Sequence, residues 1–189
     1  MRARVGPVCV VNTYVPQGRS IDHPLYAYKL EWLRRLKAYF SRHFTPGDWV
    51  LWVGDLNVAP EAADIHNAEA QANHVCYHRD VRQVFADTVA WGFVDCLRLH
   101  HPEPGQYTFF DYRTRDAVQR NLGWRIDHLL ATVPLAQRCR DCRIDLAPRR
   151  QSRASDHTVL LADFDVGRTT VAGRPRRAPA ASKRCSASA

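Results

Sequence analysis

Short, wholly apolar runs alternate along this chain with longer stretches in which apolar residues return every three or four positions. Val8-Cys9-Val10-Val11 is apolar throughout and reads as a strand covered on both faces. It runs into a loop, Asn12 to Gly18, marked by Pro16 and Gly18. From Pro24 to Phe44 the period changes: Tyr26, Leu30, Leu33, Leu36, Phe40 and Phe44 fall on one stripe and predict an amphipathic helix. Asp22 is the expected N-cap, and Pro24 sits in the first turn, where its missing N–H is not needed. Thr45-Pro46-Gly47 ends the helix, and Val50 to Val53 follows as a second buried strand. Strand, crossover helix and strand make the basic unit of an α/β fold. The strand at Val8 is the first expected element, so its sheet neighbours have to come from later in the chain or from residues the chain does not contain.

Beyond Asn57 the pattern weakens. Ala59 to Asn73 is acidic and polar and predicts a loop with a short helix. His78 to Trp91 predicts a second helix, with Val81, Val84, Phe85 and Val89 or Ala90 turned inward and Gly92 closing it. Phe93 to Leu97 reads as extended, and Tyr107 to Arg113 is an aromatic stretch whose rings are mostly core-forming. Leu122 to Ala131 predicts an apolar strand that carries Asp127 inside it, and a buried carboxylate needs a partner or a function. Arg138 to Arg153 is basic and loop-like, and Thr158 to Phe164 is the last predicted strand.

Composition refines this picture at two points. The net charge of +8 is concentrated beyond Gly167, where Arg168, Arg174, Arg176, Arg177, Lys183 and Arg184 meet no acidic residue. Residues 1–166 are therefore close to neutral and form one expected domain. Residues 167–189, built of Arg, Ala, Pro and Ser, cannot make a core and are expected to be a disordered tail. Attraction to a polyanion has to come from local patches and from that tail. The six cysteines are scattered, and Cys139-x-x-Cys142 has no second pair to complete a zinc site, so reduced thiols are expected. No run approaches the roughly 20 apolar residues of a membrane span, and a cytoplasmic protein is expected.

Candidate chemistry gathers at strand ends. Val50 to Val53 leads into Gly54-Asp55-Leu56-Asn57, and continued extension would turn Asp55 and Asn57 to the same side. Tyr14, Asp127, Asp156 and His157 lie at other strand ends, and in an α/β sheet such positions converge on one crevice. Carboxylates with one imidazole suit metal-assisted phosphodiester cleavage, because Mg²⁺ prefers oxygen ligands and offsets phosphoryl charge. Arg113, Arg115, Arg120 and Arg125 beside aromatics suit a surface that meets phosphates and stacks a base or sugar.

Five segments, Asn12–Gly18, Gly54–Asn57, Phe109–Arg113, Gly123–Asp127 and Ser155–His157, together resemble those of the exonuclease III family of AP endonucleases, in order and at compatible spacing. The resemblance covers Val8 to Phe164. It implies a four-layer α/β sandwich of two packed mixed β-sheets flanked by helices, like that of DNase I, here incomplete at its N-terminus. It also implies cleavage 5′ to abasic sites and 3′→5′ removal of nucleotides from duplex DNA, by a monomer using Mg²⁺ or Mn²⁺. By the same resemblance Tyr14 contacts the scissile phosphate, Asp55 positions or deprotonates water, and Asn57 binds phosphate or metal. Asp127 holds His157, which contacts the phosphate or accepts a proton. Asp55, Asn57, Asp156 and His157 stand at the metal, and Phe109, Arg113 and Arg125 meet the DNA. The family's principal metal-binding Glu lies in an N-terminal portion for which this sequence has no match, and Glu31 and Glu61 stand in other contexts. The alternatives are a catalytically impaired remnant of that family and, from another substrate class, a phosphatase or phospholipase of the same wider fold.

Overall fold

The computed structural model describes residues 1–167, so all but the first residue of the expected tail lies outside the described residues. Five strands form one mixed sheet: β1 (Arg2–Val5), β2 (Val8–Asn12), β3 (Val50–Asp55), β4 (Phe93–Asp95) and β5 (Asp127–Thr132), in the order β1-β2-β3-β5-β4. Only β2 and β3 run parallel, as the crossover helix between them requires. β6 (Cys139–Asp145) and β7 (Val159–Phe164) pair antiparallel as a second, two-stranded sheet. The expected α/β sandwich of two sheets with helices is the architecture observed. The second sheet, however, is purely antiparallel rather than mixed.

Helices α1 (Pro24–His43) and α2 (Arg79–Val89) cover one face of the large sheet. Between them lies an aromatic core in which Phe40 packs on Trp52 at 5.5 Å and on Phe93 at 4.8 Å between ring centroids. The other face carries the second sheet with α3 (Cys96–His100) and α4 (Val133–Ala136), joined through Val8, Leu97, Ala131, Leu135 and Cys142. Burying such side chains stabilises the fold by about 1.5–3 kcal/mol each.

Several expectations shift for identifiable reasons. The strand at Val8 does have an earlier neighbour: β1 pairs with it through a turn at Gly6-Pro7. Every residue of β1 is exposed, and its four residues, Arg2-Ala3-Arg4-Val5, are too short a run to mark a strand. The cap of α1 is His23, not Asp22, its Nδ1 accepting the Leu25 N–H at 3.1 Å. The buried stripe of α1 is Tyr26, Lys29, Leu33, Leu36 and Phe40, so a lysine holds a core position while Leu30 is half-buried. In α2 Val89 packs against the core as expected, and Thr88 is buried beside it, its hydroxyl donating to the Val84 carbonyl at 2.8 Å. The extended stretch at Phe93 breaks at Asp95, whose carboxylate caps α3 by accepting from the Leu97 and Arg98 amides. The basic, loop-like segment after Arg138 holds strand β6, whose outward Arg140 and Arg143 pair with Asp165 and Asp163 of the β7 side.

Arg125, expected at DNA, is 1% exposed and belongs to the core. Its Nε donates to Asp64 at 2.7 Å, and its Nη1 reaches Asp95 at 2.5 Å and His128 Nδ1 at 3.0 Å. Arg98 adds a second bond to Asp64. His128 Nε2 lies 2.8 Å from the Val58 carbonyl, which can only accept, so the ring carries its proton there. Burial alone would raise both carboxyls. Arg125 and Arg98 instead hold Asp64 below its ordinary range, as His128 and Arg125 hold Asp95. This brace ties the loop at Asp64 and strands β4 and β5 together, and so fixes the start of β5 from behind.

Two predictions follow from packing. A Cβ on Gly54, which has φ +126°, would stand 2.1 Å from the Thr13 carbonyl oxygen and 2.8 Å from Asn12 Oδ1. Gly54→Ala should therefore cost at least about 2 kcal/mol in urea unfolding; a change within a few tenths would mean that β2 and β3 can part there. Arg125→Met should cost about 3 kcal/mol, since it takes from each of two buried carboxylates one of its cationic partners while Arg98 and His128 remain. The loss should be full above pH 3.8, the ordinary carboxylate value, and shrink as acid protonates Asp64 and Asp95 through their lowered values. A pH-independent loss would show that pairing is not its source.

Candidate active site

Three chain segments end at one edge of the large sheet. β3 stops at Asp55, and β5, running antiparallel to it, starts at Asp127, the residue directly opposite. Beyond β2 the backbone keeps its pairing with β3, the Thr13 amide bonding the Val53 carbonyl and the Val15 amide bonding the Asp55 carbonyl, each at 2.9 Å. Tyr14 is thereby fixed beside Asp55 and stands 64% exposed. The Trp52 indole N–H, buried under α1, donates to Thr13 Oγ1 at 2.8 Å and fastens the same loop to the core. His157 arrives from the second sheet, just before β7, bridged to Phe109, which is itself bridged to Trp124.

Tyr14, Asp55, Phe109, Trp124 and His157 line a cavity of about 460 Å³. Its polar wall includes Tyr14, Asp55, Asn57 and His157, together with Gln17, His66, Gln71 and His74. Its apolar wall is Phe109, Leu122, Trp124 and Ile126, and Arg113 stands at the rim. The Phe109 ring lies 5.1 Å from the His157 ring.

The electrostatics follow from register. Asp55 faces Asp127, and like charges directly opposite on one sheet face repel. Burial, and then the Asp127 charge, push the Asp55 carboxyl above its ordinary value. His157 Nδ1 lies 2.8 Å from Asp127 Oδ2; a carboxylate only accepts, so Nδ1 carries a proton and Nε2 is the nitrogen left for the cavity. Burial alone would lower His157, but the bond to Asp127 outweighs it and raises the imidazole above 6.5.

Asn57 reaches Asp55 by a route other than strand alternation. β3 ends at Asp55, and Asn57 has φ +49°, a left-handed turn conformation that Asn tolerates. Its backbone N–H donates to Asp55 Oδ1 at 3.0 Å and its Nδ2 to Asp55 Oδ2 at 3.1 Å. The same Nδ2 also donates to the Val15 carbonyl at 3.0 Å, and the Cys76 thiol faces Oδ1 at 3.7 Å. With its carboxamide engaged on every side and only 4% exposed, Asn57 orients Asp55.

The structure thus brings Tyr14, Asp55, Asn57, Phe109, Arg113 and His157 to one cavity, with Asp127 bound to His157 at its edge. Asp156 is half-buried outside the lining, its backbone carbonyl accepting the Phe110 amide at 2.8 Å. Arg113 is exposed and its guanidinium folds back on Asp111 at 2.6 Å, while Arg125 lies behind the wall. Sequence reading missed His66, His74, Cys76 and Lys29. The one signal available was a lysine three residues after Tyr26 on the buried stripe of α1.

Among the described residues, no three His, Cys, Asp or Glu side chains group closely enough to hold a metal ion. The donors fit a looser arrangement. Asp55 and Asp127 present carboxylates side by side, and Mg²⁺ commonly takes only one or two from protein, filling its shell with water and substrate phosphate. A dication would also relieve the repulsion that raises Asp55.

Known proteins similar to this chain identify its family. The chain is 28% identical over 172 residues to exodeoxyribonuclease III of Haemophilus influenzae, which covers 87% of this chain and 64% of that protein. It is 32% identical over 142 residues to an exodeoxyribonuclease of Bacillus subtilis, 72% of this chain and 54% of that one. Its structure is similar to that of an AP endonuclease from Archaeoglobus fulgidus, with a TM-score of 0.85 and 48% identity over 87% of this chain and 64% of the other. A Neisseria 3′ phosphatase bound to product DNA hairpin superposes with a TM-score of 0.80 and 35% identity, covering 87% and 63%. The chain thus spans between about half and two thirds of the length of these relatives. The description Endonuclease/Exonuclease/phosphatase family matches residues 1–157, and the chain belongs to that family.

Proposed function

We propose that this chain carries the phosphodiester-cleaving centre of a DNA-repair nuclease that cuts duplex DNA 5′ to abasic sites and removes nucleotides from 3′ ends, with Mg²⁺ or Mn²⁺. The observation that carries this reading is the Asp127–His157 bond of 2.8 Å set opposite Asp55, at the edge of a cavity with one apolar wall. Phe109, Trp124 and Ile126 would pack against a deoxyribose that has no base, and Tyr14 and Arg113 would meet its phosphate. The names of the relatives, exodeoxyribonuclease III and AP endonuclease, point to the same substrates.

The chemistry divides among the residues as their environments dictate. Water attacks phosphorus, the bond from phosphorus to the upstream O3′ breaks, and that oxygen leaves as an alkoxide that takes its proton from solvent. The bond to Asp127 stabilises the doubly protonated ring of His157, a form in which Nε2–H would donate to a phosphate oxygen. Asp55, oriented by two hydrogen bonds from Asn57, is then the acceptor for the proton of the attacking water. A divalent cation, when bound, offsets phosphate charge and that of the leaving oxygen. Asp55 is the carboxylate best placed to hold it, with Asn57 behind it and His157 opposite; Asp156 would act from outside the lining. Removal of a 3′-terminal phosphate uses the same attack, with the terminal ester oxygen leaving.

A second reading, a catalytically impaired chain, is favoured by one observation: the described residues do not close a metal centre on their own. One experiment separates the two. The chain is incubated with Mg²⁺ and an abasic-site duplex, a 3′-recessed duplex or a 3′-phosphate duplex, beside an Asp55→Ala control. Cleavage that falls roughly 10²- to 10⁴-fold in the control supports the proposal. Equal rates in both would overturn it, and no cleavage by either would establish the impaired reading.

The proton on His157 also has a signature in stability. Its folded pKa lies above the ordinary 6.5, so its contribution is full below pH 6.5 and is lost as pH rises through the folded value. Urea unfolding of wild type and His157→Gln should differ most below pH 6.5 and converge above it. A constant difference across that range would mean that the Asp127 bond does not favour the charged ring.

A further inference from the structure

Beneath the cavity floor lies a charge that the reaction does not use. Lys29, on α1, is 0% exposed, and its Nζ is bonded to three backbone carbonyls: Asn57 at 2.7 Å, Val75 at 2.8 Å and Gln17 at 3.1 Å. The Cys76 sulfur stands 4.0 Å away. Described hydrogen bonds and ion pairs give Lys29 no carboxylate partner. Its three acceptors come from three separate segments: the loop after Tyr14, the turn after Asp55, and the strap through His74 and Cys76. Each of those segments contributes side chains to the cavity wall.

A buried lysine is costly, and a core position on α1 would accept Leu or Met at no such cost. Burial indeed pulls the Lys29 ammonium below its ordinary pKa. What the charged form supplies is three N–H donors in a threefold fan, matching three acceptors, whereas a neutral amine has only two. The Asn57 carbonyl is the shortest of the three contacts, and Asn57 is the residue held at φ +49° with both Asp55 oxygens bonded to it.

We infer that Lys29 is a positioning residue: as an ammonium it clamps the Gln17, Asn57 and Val75 carbonyls, and through Asn57 it fixes the direction of the Asp55 carboxylate. This rests on Asp55 acting as proposed above. The clamp itself is a matter of geometry and can be tested without catalysis. Losing it frees the turn to shift, and misplacement of a reacting group by about 1 Å costs roughly 100-fold in rate. Substrate contacts at Tyr14, Phe109 and Arg113 do not pass through Lys29, so the loss should appear in kcat far more than in KM.

The test pairs one spectroscopic and one kinetic reading on the full chain. In wild type labelled with ¹⁵N, Lys29 should give an NH₃⁺ resonance at neutral pH that is protected from solvent exchange. Its absence would overturn the clamp whatever the activity, and this reading needs no variant to fold. Lys29→Met is then compared with Leu33→Ala, a core truncation one turn along the same helix whose side chain has no polar atom to bond the three carbonyls. On the abasic-site duplex with Mg²⁺, Lys29→Met should lower kcat roughly 10- to 100-fold with KM little changed. It should also displace the Asn57 side-chain amide resonance. Leu33→Ala should lower the melting temperature while leaving kcat and that resonance in place. If both variants affect kcat and the Asn57 signal alike, Lys29 is only packing and the inference fails. If wild type cleaves no DNA, the proposed function fails while the two resonances still decide the clamp.

Discussion

Two carboxylates facing each other across a pair of strands organise this molecule. Asp55 and Asp127 are register partners at the edge where β3 ends and β5 begins. A fold optimised for stability alone would not place them so. Each charge is offset by a different device. Asp127 accepts a hydrogen bond from the Nδ1–H of His157, while Asp55 accepts two from Asn57. The site is therefore asymmetric although its two acids are alike. One acid is committed to an imidazole, and the other is oriented but still carries the raised pKa that burial and its neighbour impose. Such a difference of environment is how two like groups take different roles in one reaction.

Holding this arrangement requires rigid backing, and the backing is built on two buried cationic side chains. Arg125 with Asp64, Asp95 and His128 locks the start of β5 from one side. Lys29 locks the turn after β3 from the other. Both use cations in the core, where each must be fully hydrogen-bonded to persist. Apolar packing could fill the same volume, but carbonyl and carboxylate acceptors at fixed angles define direction as well as distance. Between the two braces, the Trp52 indole bond to Thr13 holds the loop that presents Tyr14.

Much of this was legible in the residue order, and the exceptions share a cause. Tyr14, Asp55, Asn57, Asp127 and His157 stood out because polar residues at the ends of apolar strands break a simple pattern. Arg125 and Lys29 were misread or passed over because a charged residue is taken as solvent-facing unless its partners are known. Those partners, Asp64, Asp95 and three backbone carbonyls, lie far away in sequence. Strands β1 and β6 were missed for the converse reason. In β1 the alternation Arg2-Ala3-Arg4-Val5 is only four residues long and fully exposed, and in β6 arginines paired with acids and a register shift near Arg140 conceal the period of two. Pattern reading thus recovers what one segment determines for itself. It fails where a residue's environment is set by another segment.

The segment Gly54-Asp55-Leu56-Asn57 bears on that division directly, because its letters fit ordinary turn chemistry as well as a catalytic centre. The structure makes the two readings one. Gly54 is required by the Thr13 carbonyl that crosses within 2.1 Å of where a Cβ would be. That same close approach of β2 to β3 is what sets Tyr14 beside Asp55. Asn57 adopts a turn conformation and, in doing so, points its own amide groups at the Asp55 carboxylate. Strand alternation would have placed the two side chains parallel, several ångströms apart and independent. The turn instead makes one the support of the other. The physical demand of reversing the chain at a strand end and the chemical demand of aiming a carboxylate are therefore met by the same hydrogen bonds.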